Sequence, residues 1–319
     1  QIGDENVHLV RSVLDEVFGS ENFVSQITFA KTSGATSQFL GNVADLLLWY
    51  AKDRGQMKYR QLFSEKSAGG PGGTAYRRVR LPDGTTRSLK RQELSDLDSL
   101  PDGTRVFATD NLTSQRPPGD FPVEFEGKEY RPVTGYWKTN EEGFARLIAA
   151  ERVTSTSGGR LAYVRYLDDF PGTVLSNIWT DTLGQNQFGG EKTYVVQTAL
   201  PVIQRCMLMA TDPGDLVVDP TCGSGTTAYV AEQWGRRWIT IDTSRIALAL
   251  ARTRLMSGRF PYYLLSDSAE GAKKDSEVSG SDCSPGPYGK DVRKGFSYRR
   301  IAHVTLKSIA QNSEIVPGM

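Results

Sequence analysis

The chain has 319 residues, with 38 Lys and Arg against 37 Asp and Glu, so its net charge is +1. No apolar run approaches the ~18 residues that cross a bilayer, which excludes a membrane-spanning helix. Three widely spaced cysteines (Cys206, Cys222, Cys283) and two histidines (His8, His303) make neither a disulfide framework nor a zinc site. Residues 1–20 lack the basic start and apolar stretch of a secretory signal, so the expected location is the cytoplasm.

The neutral total hides a basic block. Residues 54–92 carry ten Lys and Arg against Glu65 and Asp83, a local excess of eight charges. Such a block is either a solvated loop or the footprint of a polyanion.

In chain order, Ile2-Gly3-Asp4 reads as a strand end. Asn6 is placed to cap a helix over residues 7–18, with Val7, Val10, Leu14 and Val17 at helical spacing and Gly19 as its stop. Phe23 to Phe29 alternates like a strand, and the run Leu46 to Ala51 fits a fully buried one. Residues 54–176 read as an irregular, β-leaning insert. Within it, Gly69–Gly73 is expected as a flexible hinge, Asp168-Asp169 as a turn, and Pro117-Pro118 and Trp137 as either core or rim.

The α/β pattern returns after 176. A helix is predicted from Leu200 behind Pro201, a strand over Asp215–Asp219, and a helix from Thr226 to Trp234. A strand over Trp238–Asp242, a helix capped by Ser244 and a third strand over Tyr262–Leu265 follow. Alternation of strand and helix predicts an α/β fold with a doubly wound, mostly parallel sheet. Residues 268–295 are rich in Ser, Gly, Lys and Asp and are expected to be disordered.

The chemistry-bearing motif is Asp219-Pro220-Thr221-Cys222-Gly223-Ser224-Gly225-Thr226-Thr227, between a strand and a helix. Gly223 and Gly225 permit a tight turn and close approach of a ligand. With Ala228 the spacing also satisfies G-x-G-x-x-[GA], so an NAD-type dinucleotide site stays open. A pyrophosphate, however, seeks amide N–H groups and a helix N-terminus, and the Asp219 carboxylate would repel it by several kcal/mol at low effective dielectric. A carboxylate suits S-adenosylmethionine, which carries an ammonium and a sulfonium. Asp242 ends the next strand, where an acid can accept ribose hydroxyls from either cofactor type.

The stretch Gly214 to Thr227 closely resembles the cofactor motif of the DNA amino-methyltransferases, the N4-cytosine/N6-adenine family, whose form is roughly G-D-x-V-x-D-P-x-x-G-S-G-T-T. The chain is similar to the β-ordered branch, which includes type III modification subunits. There the catalytic half of the sheet comes first, a target-recognition insert second and the cofactor half last. That order implies a catalytic-half remnant at 1–53, a DNA-binding insert at 54–176, a cofactor half at 177–268 and a polar linker and tail at 269–319. Tyr194 to Thr198 resembles the segment over the methionine part of the cofactor, with Gln197 and Thr198 carried over. Ile178 to Asp181 resembles the stretch leading back from the insert to the sheet.

The resemblance implies S-adenosylmethionine as cofactor, double-stranded DNA as partner, and adenine N6 as the methylated amine because type III-like relatives mostly modify adenine. N4-cytosine remains open, as does a non-catalytic specificity module. A homodimer or a restriction subunit is the protein partner it suggests. Arg77, Arg78, Arg80, Arg87, Lys90 and Arg91 are the candidate DNA contacts. Cys222 is expected to be a packing residue, since amine methylation needs no covalent intermediate.

The family's catalytic signature, [DNS]-P-P-[YFW], polarises and stacks a flipped-out base. It is not found among these residues. Pro117-Pro118 follows Arg116 and precedes Gly119, while Asp212-Pro213 and Asp219-Pro220 are followed by Gly214 and Thr221. The expectation is therefore a chain without catalytic residues of its own, an amino-terminally truncated fragment. No metal is expected in this chemistry.

Overall fold

The computed structural model describes every residue except 35, 118, 184–197 and 317–319. Two units emerge, one of Gln1–Leu62 with Val174–Arg300 and one of Phe63–Thr173 with Ile301–Met319.

In the first unit, the helix Val7–Phe18 ends at Gly19, whose N–H donates to the Asp15 carbonyl at 3.0 Å. Asn6 does not cap it, because a 3-10 turn over Asp4–Asn6 leads directly into the helix. The strands Phe23–Ala30 and Ala44–Tyr50 pair antiparallel, with Ile27 opposite Leu47. The described residues of the loop between them contain no helix, and parallel pairing needs a crossover connection. Ile178–Trp179 adds a parallel strand on the other side, and Ile2 bridges Leu46. Ala44–Tyr50, predicted as fully buried, is mostly half-buried. Its partner carries the core instead, where Ile27 and Phe29 pack with Trp179, Val202 and Met209.

Farther along, Leu216–Asp219 pairs parallel with Arg237–Thr240, Val217 facing Trp238, across the helix Thr226–Gln233. The helix Arg245–Ser257 follows, capped by the Ser244 hydroxyl. Tyr262–Leu265 forms no strand; only Leu265 makes an isolated bridge, to Phe296. The described strands of this unit thus form a three-stranded and a two-stranded ladder.

Residues 268–295 are not disordered as their composition suggests. Ser268 and Gly280 cap a helix over Ala269–Ser279 at both ends. The loop after it is gathered by Asp267, which accepts from the Gly289 and Asp291 amides and from Lys294 Nζ at 2.9–3.1 Å.

The second unit is built on a five-stranded antiparallel sheet. Its spatial order is Val153–Ser155, Leu161–Tyr166, Arg105–Asn111, Arg78–Arg80, Thr86–Ser88. The helix Glu141–Ala149, capped by Asn140, buries Phe144 and Leu147 against Trp137, which is therefore core; Pro118 lies outside the described residues.

The stretch Ile301–Met319 belongs to this unit. Its helix Leu306–Ala310 buries Ile309 and Ala310, and Arg146 donates to the Ala310 carbonyl at 3.0 Å. Gly69–Gly73 is a closed turn, not a flexible hinge: Gly69 N–H meets the Gly73 carbonyl and Gly73 N–H the Gly70 carbonyl, both at 2.9 Å. Of the Asp168-Asp169 turn, Asp169 is buried and receives both ends of the buried Arg152 guanidinium at 2.6 and 2.8 Å.

Candidate cofactor site

The strand Leu216–Asp219 delivers Asp219 to the mouth of the glycine turn. One carboxylate oxygen accepts the Thr221 amide at 3.0 Å and the other the Thr227 hydroxyl at 2.5 Å. Asp219 thus ties the start of the turn to the first turn of the helix beyond it. Asp242 ties the other side, accepting the Gly223 and Ser244 amides at 2.8 Å each. Those two amide bonds, Ser244 first, hold its carboxyl below the ordinary carboxylate range. The Cys222 amide donates to the Ile241 carbonyl and the Gly225 amide to the Cys222 carbonyl.

Gly225 shows why glycine stands in the turn. Its φ is +79°, and a Cβ there would lie 2.7 Å from the Cβ of Ala251 on the next helix. The turn therefore sits close against the helix Arg245–Ser257 with no room for a side chain.

Above this turn is a cavity of about 520 Å³. Of the predicted cofactor residues, Asp219, Thr221, Cys222, Gly223, Ser224, Thr226, Thr227 and Thr198 line it. Pro220, Gly225 and Asp242 lie outside its wall and shape the turn behind it. Gln197 lies outside the described residues.

Sequence reasoning missed part of the wall: Gln1, Ile2, Gly3, Asp45, Ile203 and Val218 also line the cavity. Gln1 accepts from the Thr198 hydroxyl and donates to Asp45 at 3.0 Å, and Asp45 in turn pairs with Lys31 at 2.7 Å. Asp45 carried one weak signal, an acid at the head of an otherwise apolar strand.

The electrostatics select among ligands. Among the described residues, the wall holds two carboxylates and no lysine, arginine or histidine. A pyrophosphate would meet two carboxylates there, and the nearby Lys31 is already paired with Asp45. The residues fit S-adenosylmethionine: carboxylates for its cationic groups, threonine hydroxyls and helix-start amides for its carboxylate, and Ile2, Ile203 and Val218 for its apolar parts. Cys222 is buried, and burial raises its thiol pKa, with Asp219 and Asp242 adding to the rise.

The candidate DNA contacts divide. Arg80 is 17% exposed and donates to Glu151 at 2.9 Å and to the Tyr166 hydroxyl at 2.8 Å. Arg87 makes two bonds to Glu93 at 2.7–2.8 Å. Arg78 is half-buried, with its guanidinium over the Phe107 ring. Arg77, Lys90 and Arg91 are exposed and form no ion pair with a described residue. Part of the basic block's charge is therefore neutralised inside the unit.

The family model of the N6/N4 DNA methylases matches residues 1–252. The Type II methyltransferase M.EcaI of Enterobacter cloacae is 26% identical over 264 residues, covering 82% of this chain and 53% of that protein. The Type II methyltransferase M2.DpnII of Streptococcus pneumoniae is 36% identical over 84 residues, 26% of this chain and 31% of that one. The chain thus spans about half the length of the first relative and about a third of the second. Among solved structures, the M1.HpyAVI–SAM complex aligns over 79% of this chain and 71% of its own, at 12% identity and a TM-score of 0.35, a likeness too distant to assign a site. With the glycine turn, its two carboxylate ties and a family match over most of its length, this chain belongs to the N6/N4 DNA methylase family.

Proposed function

We propose that this chain is the cofactor-binding and DNA-contacting part of an S-adenosylmethionine-dependent DNA methyltransferase that modifies the N6 amine of adenine. The observation that carries the reading is the cavity over the glycine turn, walled by Asp219 and Asp45 and free of basic side chains among the described residues. When bound, S-adenosylmethionine supplies an electrophilic methyl group. Asp219 and Asp45 favour its cationic end, and the Gly223–Thr227 turn receives the remainder. Asp242 keeps the turn in register from behind the cavity wall through the Gly223 and Ser244 amides.

The insert's exposed Arg77, Lys90 and Arg91 make phosphate contacts that set the register of the duplex. The base assignment follows the likeness to the type III branch. The two ladders of the first unit are read as parts of one doubly wound sheet. That reading is supported by one apolar strand face, where Leu216, Val218, Ile239 and Ile241 are all about half exposed. The polarising tetrapeptide is not among these 319 residues, so the chain itself binds cofactor and DNA without transferring the methyl group.

The test is to express the gene containing this coding sequence and analyse the host DNA by mass spectrometry of nucleosides. N6-methyladenine is expected. N4-methylcytosine would move the base assignment, and no methylated base at all would overturn the enzymatic reading.

A further inference from the structure

A second pocket, of about 340 Å³, lies wholly within the unit of Phe63–Thr173 and Ile301–Met319. It opens where the strands Arg105–Asn111 and Leu161–Tyr166 pair, with Tyr163 opposite Asp110. Tyr76 and Tyr163 border it but are only 2% and 4% exposed, and the Tyr76 ring already carries Lys66 Nζ and the Arg165 guanidinium at 5.2 and 5.4 Å. His303, packed on the Phe170 ring at 4.3 Å, lies at its border.

Three cations reach it: Lys66, Lys138 and Arg165. Two carboxylates line it, but Asp169 is already held by Arg152 through both oxygens and by the Tyr166 amide. Asp110 pairs with Arg165 at 3.2 Å. Lys66 pairs with no carboxylate among the described residues and donates to the Phe170 carbonyl at 2.5 Å; Lys138 donates to the Asn111 carbonyl at 2.6 Å. An ammonium has three donors, so both lysines keep N–H groups to offer.

Two further donors are idle. The Tyr163 hydroxyl and Arg165 Nε are buried with no hydrogen-bond partner among the described residues. A buried polar group left unpaired is costly, so such groups mark a missing ligand or a built-in strain. Burial and the charge of Arg165 lower the Lys66 pKa, and the Asp169 carboxylate offsets only part of that fall.

Excess positive charge and unused donors call for an anion, and the unpartnered Tyr163 hydroxyl offers a polar contact to a group attached to it. We propose that this pocket binds a phosphorylated nucleoside, its phosphate on Lys66 and Arg165 and an edge of its base on the Tyr163 hydroxyl. The nucleotide is either a unit of bound DNA or a free molecule, and the same contacts serve both. The DNA alternative rests on the proposed function; binding of the free nucleotide does not.

The test is calorimetric titration of the full chain with dAMP and dCMP, with saturating S-adenosylhomocysteine present to close the cofactor cavity. At least one nucleotide should bind about tenfold or more tightly than the matching deoxynucleoside or inorganic phosphate. Tyr163→Phe removes only an unpartnered hydroxyl, so its melting temperature should hold or rise while nucleotide affinity falls severalfold. Lys66→Gln, which keeps a donor for the Phe170 carbonyl, should weaken binding about tenfold or more, the scale of one charged hydrogen bond.

A duplex oligonucleotide that displaces the nucleotide assigns the site to DNA, and one that leaves it bound assigns it to a free nucleotide. Binding of neither nucleotide, or unchanged affinity in both variants, overturns the proposal. S-adenosylhomocysteine affinity, measured separately on the same variants, reports on the cofactor site alone, so the two readings fail independently.

Discussion

Replacing Gly225 by alanine tests the geometry of the cofactor turn. Two penalties act together. At φ +79° an alanine sits in the left-handed region, at a cost of about 1–2 kcal/mol. Its Cβ would also meet the Ala251 Cβ at 2.7 Å and the Ala251 Cα at 3.2 Å. Both are atoms on a helix that cannot swing away, and overpacking of this kind costs about 1–3 kcal/mol. The sum is about 2–5 kcal/mol. For a unit of this size each kcal/mol shifts the melting temperature by about 2–4 °C, so the midpoint should fall by about 4–20 °C.

Gly84→Ala is the control. Gly84 has φ +83° with no atom within 4 Å of an added Cβ, so it should incur the backbone penalty alone. The assay is thermal unfolding followed by circular dichroism, with S-adenosylmethionine titration of each variant. Equal, small shifts in both variants, with cofactor affinity intact in Gly225→Ala, would refute the claim that this turn is pressed against the helix Arg245–Ser257.

Other expectations follow from individual side chains. Arg152→Met strands the buried Asp169 carboxylate and should cost about 3–5 kcal/mol of stability in urea unfolding; a loss below about 1 kcal/mol would mean the pair is incidental. In the insert, Ala at Arg77, Lys90 and Arg91 together should reduce the slope of log K for DNA against log salt by about 0.9 for each phosphate that is no longer neutralised. Arg80→Ala should leave the slope alone, because Arg80 is committed to Glu151 and Tyr166. Identical slopes in both would contradict this division of the basic block. The Arg87 guanidinium, helped by the Lys90 amide, holds Glu93 at about 2 against an ordinary 4.5. Its stabilising contribution is present above about pH 4.5 and disappears as pH falls toward 2. In Arg87→Ala the Glu93 carboxyl, followed by NMR, should titrate higher than in the parent chain but still below its ordinary value, because the Lys90 amide still donates to it.

The cofactor turn was legible because its signals are local. A strand, two glycines and the start of a helix lie within a dozen residues, and Asp219 and Asp242 sit at the ends of adjacent strands. The rest of the cavity wall was not legible. Gln1 meets Thr198 across almost two-thirds of the chain, and nothing in either neighbourhood announces the other. The basic block misled by addition, since a charge sum cannot see that Glu151, far along the chain, and Glu93 neutralise Arg80 and Arg87. Composition also misjudged residues 268–295, although the cap residues Ser268 and Gly280 stood at helical distance and Asp267 could gather the loop. Tyr262–Leu265 has strand-forming residues but pairs only through Leu265, because intrinsic propensity needs a partner to become a ladder.

The central claim is that the cavity over Asp219 is built for S-adenosylmethionine. Calorimetric titration of the purified chain with S-adenosylmethionine, with NAD in parallel, tests it most directly. The account predicts one S-adenosylmethionine site, no NAD binding, and a loss of about 1.5–3 kcal/mol in affinity for Asp219→Ala, the worth of a hydrogen bond to a charged group. Tight NAD binding, or S-adenosylmethionine affinity unchanged in both Asp219→Ala and Asp242→Ala, would contradict it.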